Sequence, residues 1–473
     1  MFDDAAIEQL RRTLRGAVVG PKHPEYDGAR RVYNGMIDRR PAAIARCADE
    51  IDVVRAVRTG VERDALLCVR GGGHSAGGLS VCDGGLVIDL AAMREVSVDA
   101  EARIVRVAGG CTWGEVDRAT NAYGLAVPCG IVSTTGVAGL TLGGGTGHLS
   151  RRYGLTIDNL LAAELVLADG SVVRASDEEH ADLFWALRGG GGNFGVVTAF
   201  EFQLQPVDSI VGGPMLWPID RAREVLGFYR DFIREAPEDL GGFFCFMTVP
   251  PAPPFPPSLH GQKMCAVVWC WCGPASRADE VLAPVRALAP ALDGVGEMPL
   301  PALQSAFDAL YPPGLQWYWR AGFVRELPDE AIEEHVRYAS RMPTAHSTMH
   351  LYAMDGAVHR VAPEATAFHF RDANWNQVIV GVDPDPASRE RITRWAREYS
   401  EAVRPFGCGG AYVNFLMGDE PGDRVRATYR ENYPRLVDVK RRYDPDNRFR
   451  INHNIDPRAR IAATGQAEPS PPG

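Results

Sequence analysis

The run Arg70-Gly71-Gly72-Gly73-His74-Ser75-Ala76-Gly77-Gly78 constrains this chain more than any other stretch. It follows the apolar run Ala65-Leu66-Leu67-Cys68-Val69, which reads as a buried strand. Glycine is used where the backbone must reach positive φ or approach a ligand closely. Successive N–H groups in such turns form concave anion sites that suit phosphate. A second stretch repeats the device: Pro128-Cys129-Gly130 runs into Gly143-Gly144-Gly145-Thr146-Gly147. One loop carries a histidine and the other a cysteine. Together they suggest a dinucleotide cradled by two loops, with side chains at hand for covalent attachment.

Read with Gly154-Leu155-Thr156-Ile157-Asp158-Asn159, with Tyr412-Val413-Asn414-Phe415 and with Arg442-Tyr443-Asp444-Pro445-Asp446-Asn447-Arg448-Phe449-Arg450, these loops resemble the berberine-bridge-enzyme-like flavin oxidases of the vanillyl-alcohol-oxidase class. The resemblance runs from about Arg39 to Ile455 and is weakest in the middle third. It implies FAD bonded covalently through His74, with Cys129 as the candidate for a second bond. It implies cofactor contacts from Arg70, Gly71, Gly72, Gly73 and Ser75, continued by Gly136, Gly139, Gly143, Gly144, Gly145 and Gly147. Asp158 and Asn159, Gly195 and Val196, and Asn452 complete the implied cofactor set. Tyr412 stands in the family's Tyr-x-Asn-Phe/Tyr position and is the implied proton acceptor. Phe415 replaces the second tyrosine of many relatives, so a helper is expected elsewhere: Tyr153, His148, Tyr352, His369 or Arg371. In one alignment Thr135 stands at the position that admits oxygen.

Bulk properties set the class. At 473 residues, with 46% hydrophobic residues, the chain is long enough for two or three cores of ~150 residues each. Lys plus Arg is 50 against 60 acidic residues, a net charge of −10, which lacks the basic footprint of nucleic-acid binding. The ten cysteines show no CxxC pair, so no metal site is expected, and most read as buried thiols. No apolar run approaches the ~20 residues of a membrane span, and the N-terminus lacks a signal core. The expectation is a cytoplasmic protein, a monomer or homodimer, whose partners are a small-molecule substrate and molecular oxygen.

Periodicity predicts an α+β fold. Residues 1–205 form the first part of an FAD-binding domain, opening as a β-α-β unit and followed by short strands and an Asp169-Gly170 hairpin. Gly190-Gly191-Gly192-Asn193-Phe194-Gly195 matches GxGxxG but precedes a strand, which rejects the Rossmann reading. Residues 206–405 read as a substrate domain, an antiparallel sheet backed by helices. Here Trp317 and Trp319 share a face, and Thr366–Arg371 is read as a strand presenting His369 and Arg371 together. Residues 406–456 return to the FAD domain, and 457–473 read as a disordered tail. The leading function is an oxidase that takes hydride from a C–H next to oxygen or nitrogen and yields peroxide. The alternatives are a dehydrogenase that excludes oxygen, a Cys–His hydrolase using Cys129, and a flavin-storing protein.

Overall fold

The computed structural model describes residues 3–460. The N-terminal part holds two sheets. In the smaller, Ala43–Arg46, Leu86–Asp89 and Leu67–Arg70 pair in parallel, with Ala17–Val19 added antiparallel at one edge. The helix Glu50–Glu62 supplies the crossover from Ala43–Arg46 to Leu67–Arg70, so the β-α-β opening is present. Its N-terminus is capped by Asp49, whose side chain accepts from the Asp52 N–H. The larger sheet is antiparallel and ordered Val96–Asp99, Ile104–Ala108, Val196–Gln203, Leu160–Val166, Val172–Ser176. Its last two strands join through the Asp-Gly turn, with Gly170 at φ +76° and the Asp169 carboxylate accepting from the Ser171 N–H at 2.8 Å.

The middle of the chain forms an eight-stranded antiparallel sheet. Alternation along its strands separates two environments. In Thr348–Ala353, Thr348, His350 and Tyr352 face a cavity, while Met349, Leu351 and Ala353 pack against the helices Ala222–Glu235, Asp329–Ala339 and Arg389–Val403. The same period places Trp317 and Trp319 of Gln316–Val324 on the cavity side and Tyr318 on the other, as their spacing predicts. The sheet is thus the wall of a site on one face and the seat of the helices on the other.

Two strands go beyond the sequence reading. Ile210–Pro218 contains Gly212-Gly213-Pro214, which interrupts its β pattern, and Trp375–Asp383, rich in valine and isoleucine, lies between Thr348–Ala353 and Gln316–Val324 in the sheet. Conversely, Thr366–Arg371 is a loop. Its N–H groups at Ala367 and Phe368 donate to Trp185 and Arg188 carbonyls at the end of a helix, so no strand partner is available to it. His369 and Arg371 therefore do not form one strand face.

From Ala411 the chain returns to the glycine loops. Lys440 and Asp444 form a fully buried ion pair at 2.6 Å, and the Lys440 ammonium also donates to the Asn193 and Phe449 carbonyls. That pair fastens the C-terminal helix Tyr433–Tyr443 to the third glycine loop. At the start of the expected tail, the Pro457 and Ala459 carbonyls accept from Arg441. Residues 461–473 lie outside the described residues.

Candidate active site

The first and second glycine loops meet backbone to backbone. A Cβ on Gly72 would stand 2.6 Å from Gly136 Cα, and one on Gly136 would stand 2.4 Å from the Gly72 nitrogen. Neither position admits a side chain. The N–H groups of Gly72, Gly73, His74 and Ser75 donate to no acceptor among the described residues, which leaves a row of donors suited to an anionic oxygen.

Both loops line one cavity of about 340 Å³, within the ~300–1,000 Å³ of small-molecule sites. A third loop, Gly191-Gly192-Asn193, joins them, and Asn452 reaches this loop by donating to the Gly192 carbonyl at 3.0 Å. Of the expected cofactor residues, Gly71, Gly72, Gly73, His74, Ser75, Gly136, Gly139 and Asn452 border the cavity. An added Cβ at Gly139 or Gly192 would meet no protein atom within 4 Å, so these glycines keep space in the cavity and relieve no clash. The Thr146 hydroxyl and the Asn452 side-chain oxygen are buried at its wall without partners among the described residues. These features fit an extended, phosphate-bearing ligand such as FAD.

The other expected contacts stand one layer back. Arg70 donates to the Ala29 and Arg31 carbonyls and lies beside Asp89. Gly143 and Gly147 give room to the Asn414 side chain and the Cys129 carbonyl. Gly144, at φ +129°, lets Phe368 approach, and Gly145, at φ +80°, lies against Thr156. Gly195 and Val196 belong to strand packing. Asn159 donates to the Tyr153 and Leu155 carbonyls. Asp158 is gripped by both terminal nitrogens of Arg371 at 2.7 Å, a bidentate pair with a buried guanidinium. It ties the Phe368 loop under Tyr412. Removing one partner of a buried pair costs about 3–5 kcal/mol. Asp158→Ala is therefore expected to lose that much in denaturant unfolding, with Arg371 left buried and unpaired.

Cys129 does not line the cavity; Gly130, Ile131 and Val132 do. Its sulfur accepts from the Gln304 amide at 2.9 Å and lies 3.9 Å from an Asp117 oxygen, behind the loop. Burial pushes this thiol far up, and Asp117 adds to the effect, so the thiolate is suppressed. No imidazole is among its hydrogen-bond partners, so the Cys–His hydrolase arrangement is absent there.

Asp117 itself is buried, and desolvation raises its pKa to about 8. The folded protein thus holds a proton that the unfolded chain releases near pH ~4. Stability from this group is complete below about pH 4, falls as pH rises towards about 8, and is level beyond that. Asp117→Asn should remove this component. Its unfolding free energy, compared with that of the parent, should improve progressively from pH 5 to pH 8.

His74 sits at one end of an aromatic belt. Its ring stacks on Tyr33 at 3.8 Å, and Tyr33 stacks on Trp317 at 5.2 Å. Trp317 meets Trp319 edge-on, Trp319 meets Phe415, and Phe415 meets Tyr412 at 4.9 Å. All six rings border the cavity. Desolvation lowers the His74 pKa to about 4, so its imidazole is neutral. Nε2 lies 3.2 Å from the Thr134 hydroxyl, while Nδ1 bonds to no other residue among those described.

At the other end, the buried Tyr412 oxygen accepts from the Gly145 N–H and from the Asn414 amide, both at 2.8 Å. Burial pushes its pKa up to about 12, and these two donors pull the other way by favouring the phenolate. Among the proposed helpers, only Tyr352 borders the cavity. Among the described residues His148 is buried without partners, Tyr153 donates to the Pro206 carbonyl, and His369 pairs with Glu431. His350 escaped the sequence reading. It lies 2.7 Å from the Tyr352 hydroxyl, and its place two residues away on the same strand was the available signal.

Comparison with known proteins identifies the family. Residues 41–176 match the FAD binding domain family, and residues 411–456 match the berberine and berberine like family. (R)-6-hydroxynicotine oxidase of Paenarthrobacter nicotinovorans is 30% identical, over 94% of this chain and 97% of its own. The crystal structure of 6-hydroxy-D-nicotine oxidase from Arthrobacter nicotinovorans superposes with a TM-score of 0.84 at 28% identity, covering 94% of this chain and 98% of the other. Glucooligosaccharide oxidase from Acremonium strictum, described with a 6-S-cysteinyl, 8α-N1-histidyl FAD, has the same fold, with a TM-score of 0.84 at 24% identity, covering 96% of this chain and all of the other.

Proposed function

The chain belongs to the berberine-bridge-enzyme-like FAD-linked oxidoreductases, and from that premise we propose that it is an oxidase holding its flavin by one covalent bond, at His74. What supports this reading is that the glycine loops, His74 and Tyr412 share one cavity, while no cysteine borders it. When bound, FAD accepts a hydride from a substrate C–H next to oxygen or nitrogen and passes both electrons to O2, giving H2O2. The chain does the rest. The four free N–H groups of the first loop would hold the pyrophosphate, and neutral His74, with Nε2 engaged by Thr134, would present Nδ1 for attachment to the flavin. Tyr412 takes the substrate proton on its oxygen, with Gly145 and Asn414 steadying the phenolate.

Thr135, at the cavity wall, is small enough to leave oxygen a path. Anaerobic reduction followed by mixing with aerated buffer tests the oxidase reading. Reoxidation should outpace turnover and release one H2O2 per flavin, and slower reoxidation would make the protein a dehydrogenase. Among the described residues no helix is long and apolar enough to cross a membrane. All ten cysteines are unpaired, which supports a reducing compartment such as the cytoplasm.

A further inference from the structure

We infer that a second, small cavity beside the Tyr412 segment binds one water molecule, and that this water completes a proton route from the main cavity to the surface through Tyr429, His369 and Glu431. The inference rests on the oxidase reading above and deepens it. The second cavity measures about 10 Å³, at the lower edge of the ~10–15 Å³ in which a buried site holds a single water. Val413 and Tyr429 border both cavities, so the two share a wall next to Tyr412. His369 borders the small cavity alone, and its Nε2 lies 3.1 Å from a carboxylate oxygen of Glu431, whose side chain is 80% exposed.

A cavity with wholly apolar walls stays dry. Phe323, Phe368, Phe370, Ala411 and Val413 are apolar here, but two neighbours bring polar atoms that meet nothing. The Tyr429 hydroxyl and His369 Nδ1 are both buried without a partner among the described residues. The Thr428 hydroxyl, also at this wall, already donates to the Arg424 carbonyl at 3.2 Å. Unpaired buried polar groups are costly, and buried waters are held by such groups. The two are complementary. A carboxylate only accepts, so the neutral imidazole carries its proton on Nε2 towards Glu431 and leaves Nδ1 as an acceptor. Burial raises the Tyr429 pKa, so the phenol keeps its proton and donates. A water between them accepts from Tyr429 and donates to Nδ1. Desolvation lowers the His369 pKa, with Arg430 acting in the same sense and Glu431, Asp372 and Glu364 opposing, so the ring is neutral at pH 7.

Every hydrogen bond in this row points outward. A proton reaching the Tyr429 oxygen from the main cavity sends the phenol proton to the water. The water passes one of its own to Nδ1, and the Nε2 proton leaves to Glu431 and the solvent. Each group keeps its number of protons, and the row now points inward. The oxidase cycle needs one passage each way. Oxidation of the substrate leaves one proton on Tyr412, and forming H2O2 from O2 and the hydride takes one proton up again. The second passage restores the first orientation.

The test uses the holoenzyme. A high-resolution crystal structure should show one water within hydrogen-bonding distance of both Tyr429 Oη and His369 Nδ1, and Tyr429→Phe should lose it. A parent structure without that water would overturn the proposal. For the route, the flavin is reduced anaerobically with dithionite, freed of excess, and mixed with aerated, weakly buffered solution containing phenol red. The parent should take up one proton per flavin in step with reoxidation. In Tyr429→Phe and in His369→Phe, uptake should lag behind reoxidation by ~10²-fold, the lower end of what a positioned proton-transfer group contributes. Both signals come from the same mixture, so lost stability or flavin content does not separate them. Uptake that keeps pace in both variants would overturn the route and leave a structural water. Slow reoxidation in the parent, or protein purified without flavin, would sink the oxidase reading alone, and the water in the crystal would then decide the proposal.

Discussion

His74→Ala is expected to release all the flavin into the supernatant when the protein is precipitated with acid, whereas the parent should retain it on the polypeptide. On the proposed reading this is an all-or-none effect, because one bond would carry the whole attachment. The histidine is prepared for it. Its ring is fixed by stacking on Tyr33, its charge is removed by desolvation, and one nitrogen is occupied by Thr134. A protonated imidazole has no lone pair to offer, so the lowered pKa keeps Nδ1 available across the neutral range. Cys129→Ser should leave flavin retention unchanged, since the sulfur faces Gln304 and Asp117 instead of the cavity. Digestion and mass analysis would locate the flavin on the His74 peptide. Flavin recovered on the Cys129 peptide would contradict the single-bond reading and require that loop to turn over.

Tyr412→Phe should slow flavin reduction by ~10²–10⁴-fold, the usual contribution of general-base assistance. The ring, its edge-on contact with Phe415 and the covalent flavin should all remain. The pH dependence is the sharper test. The phenol is raised to about 12 in the folded protein, so its basic form is scarce at neutral pH and grows about tenfold per pH unit below that value. Flavin reduction in the parent should therefore climb steeply through the alkaline range, and in Tyr412→Phe this climb should vanish. Asn414→Ala removes one of the two donors that favour the phenolate, so it should reduce the rate in the same direction by a smaller factor. A variant lacking the hydroxyl but reducing its flavin at the parent rate would leave Tyr412 as a packing residue. The proton would then pass to another group at the cavity wall, such as the His350–Tyr352 pair.

Much of this is legible in the sequence. A run such as Gly71-Gly72-Gly73-His74-Ser75 has few physical uses, and the second loop and the Tyr412 motif each narrow them further. The alternation that places Trp317 and Trp319 on one face is a local property of a strand and survives folding. The reading failed where local pattern and long-range partner disagree. Thr366–Arg371 alternates like a strand but meets a helix end, and Ile210–Pro218 carries glycines and a proline yet is held by neighbours on both sides. Cys129 stands near a glycine loop in sequence, which made it a candidate for the flavin. Only the fold shows that its side chain turns away, because Gln304, 175 residues later, donates to it from behind.

Motifs at short spacing in the sequence carried the resemblance to the family, and with it the cofactor class and the expectation that His74 and Tyr412 serve it. The tertiary structure decided which glycines face the cavity and which only admit a neighbour. It also showed that Asp158 serves Arg371, that His350 joins Tyr352, and that among the described residues no Asp, Glu, Lys or Arg lines the cavity. These follow from contacts between segments far apart in the chain. Burial, hydrogen-bond partners and desolvated pKa values exist only once those segments meet.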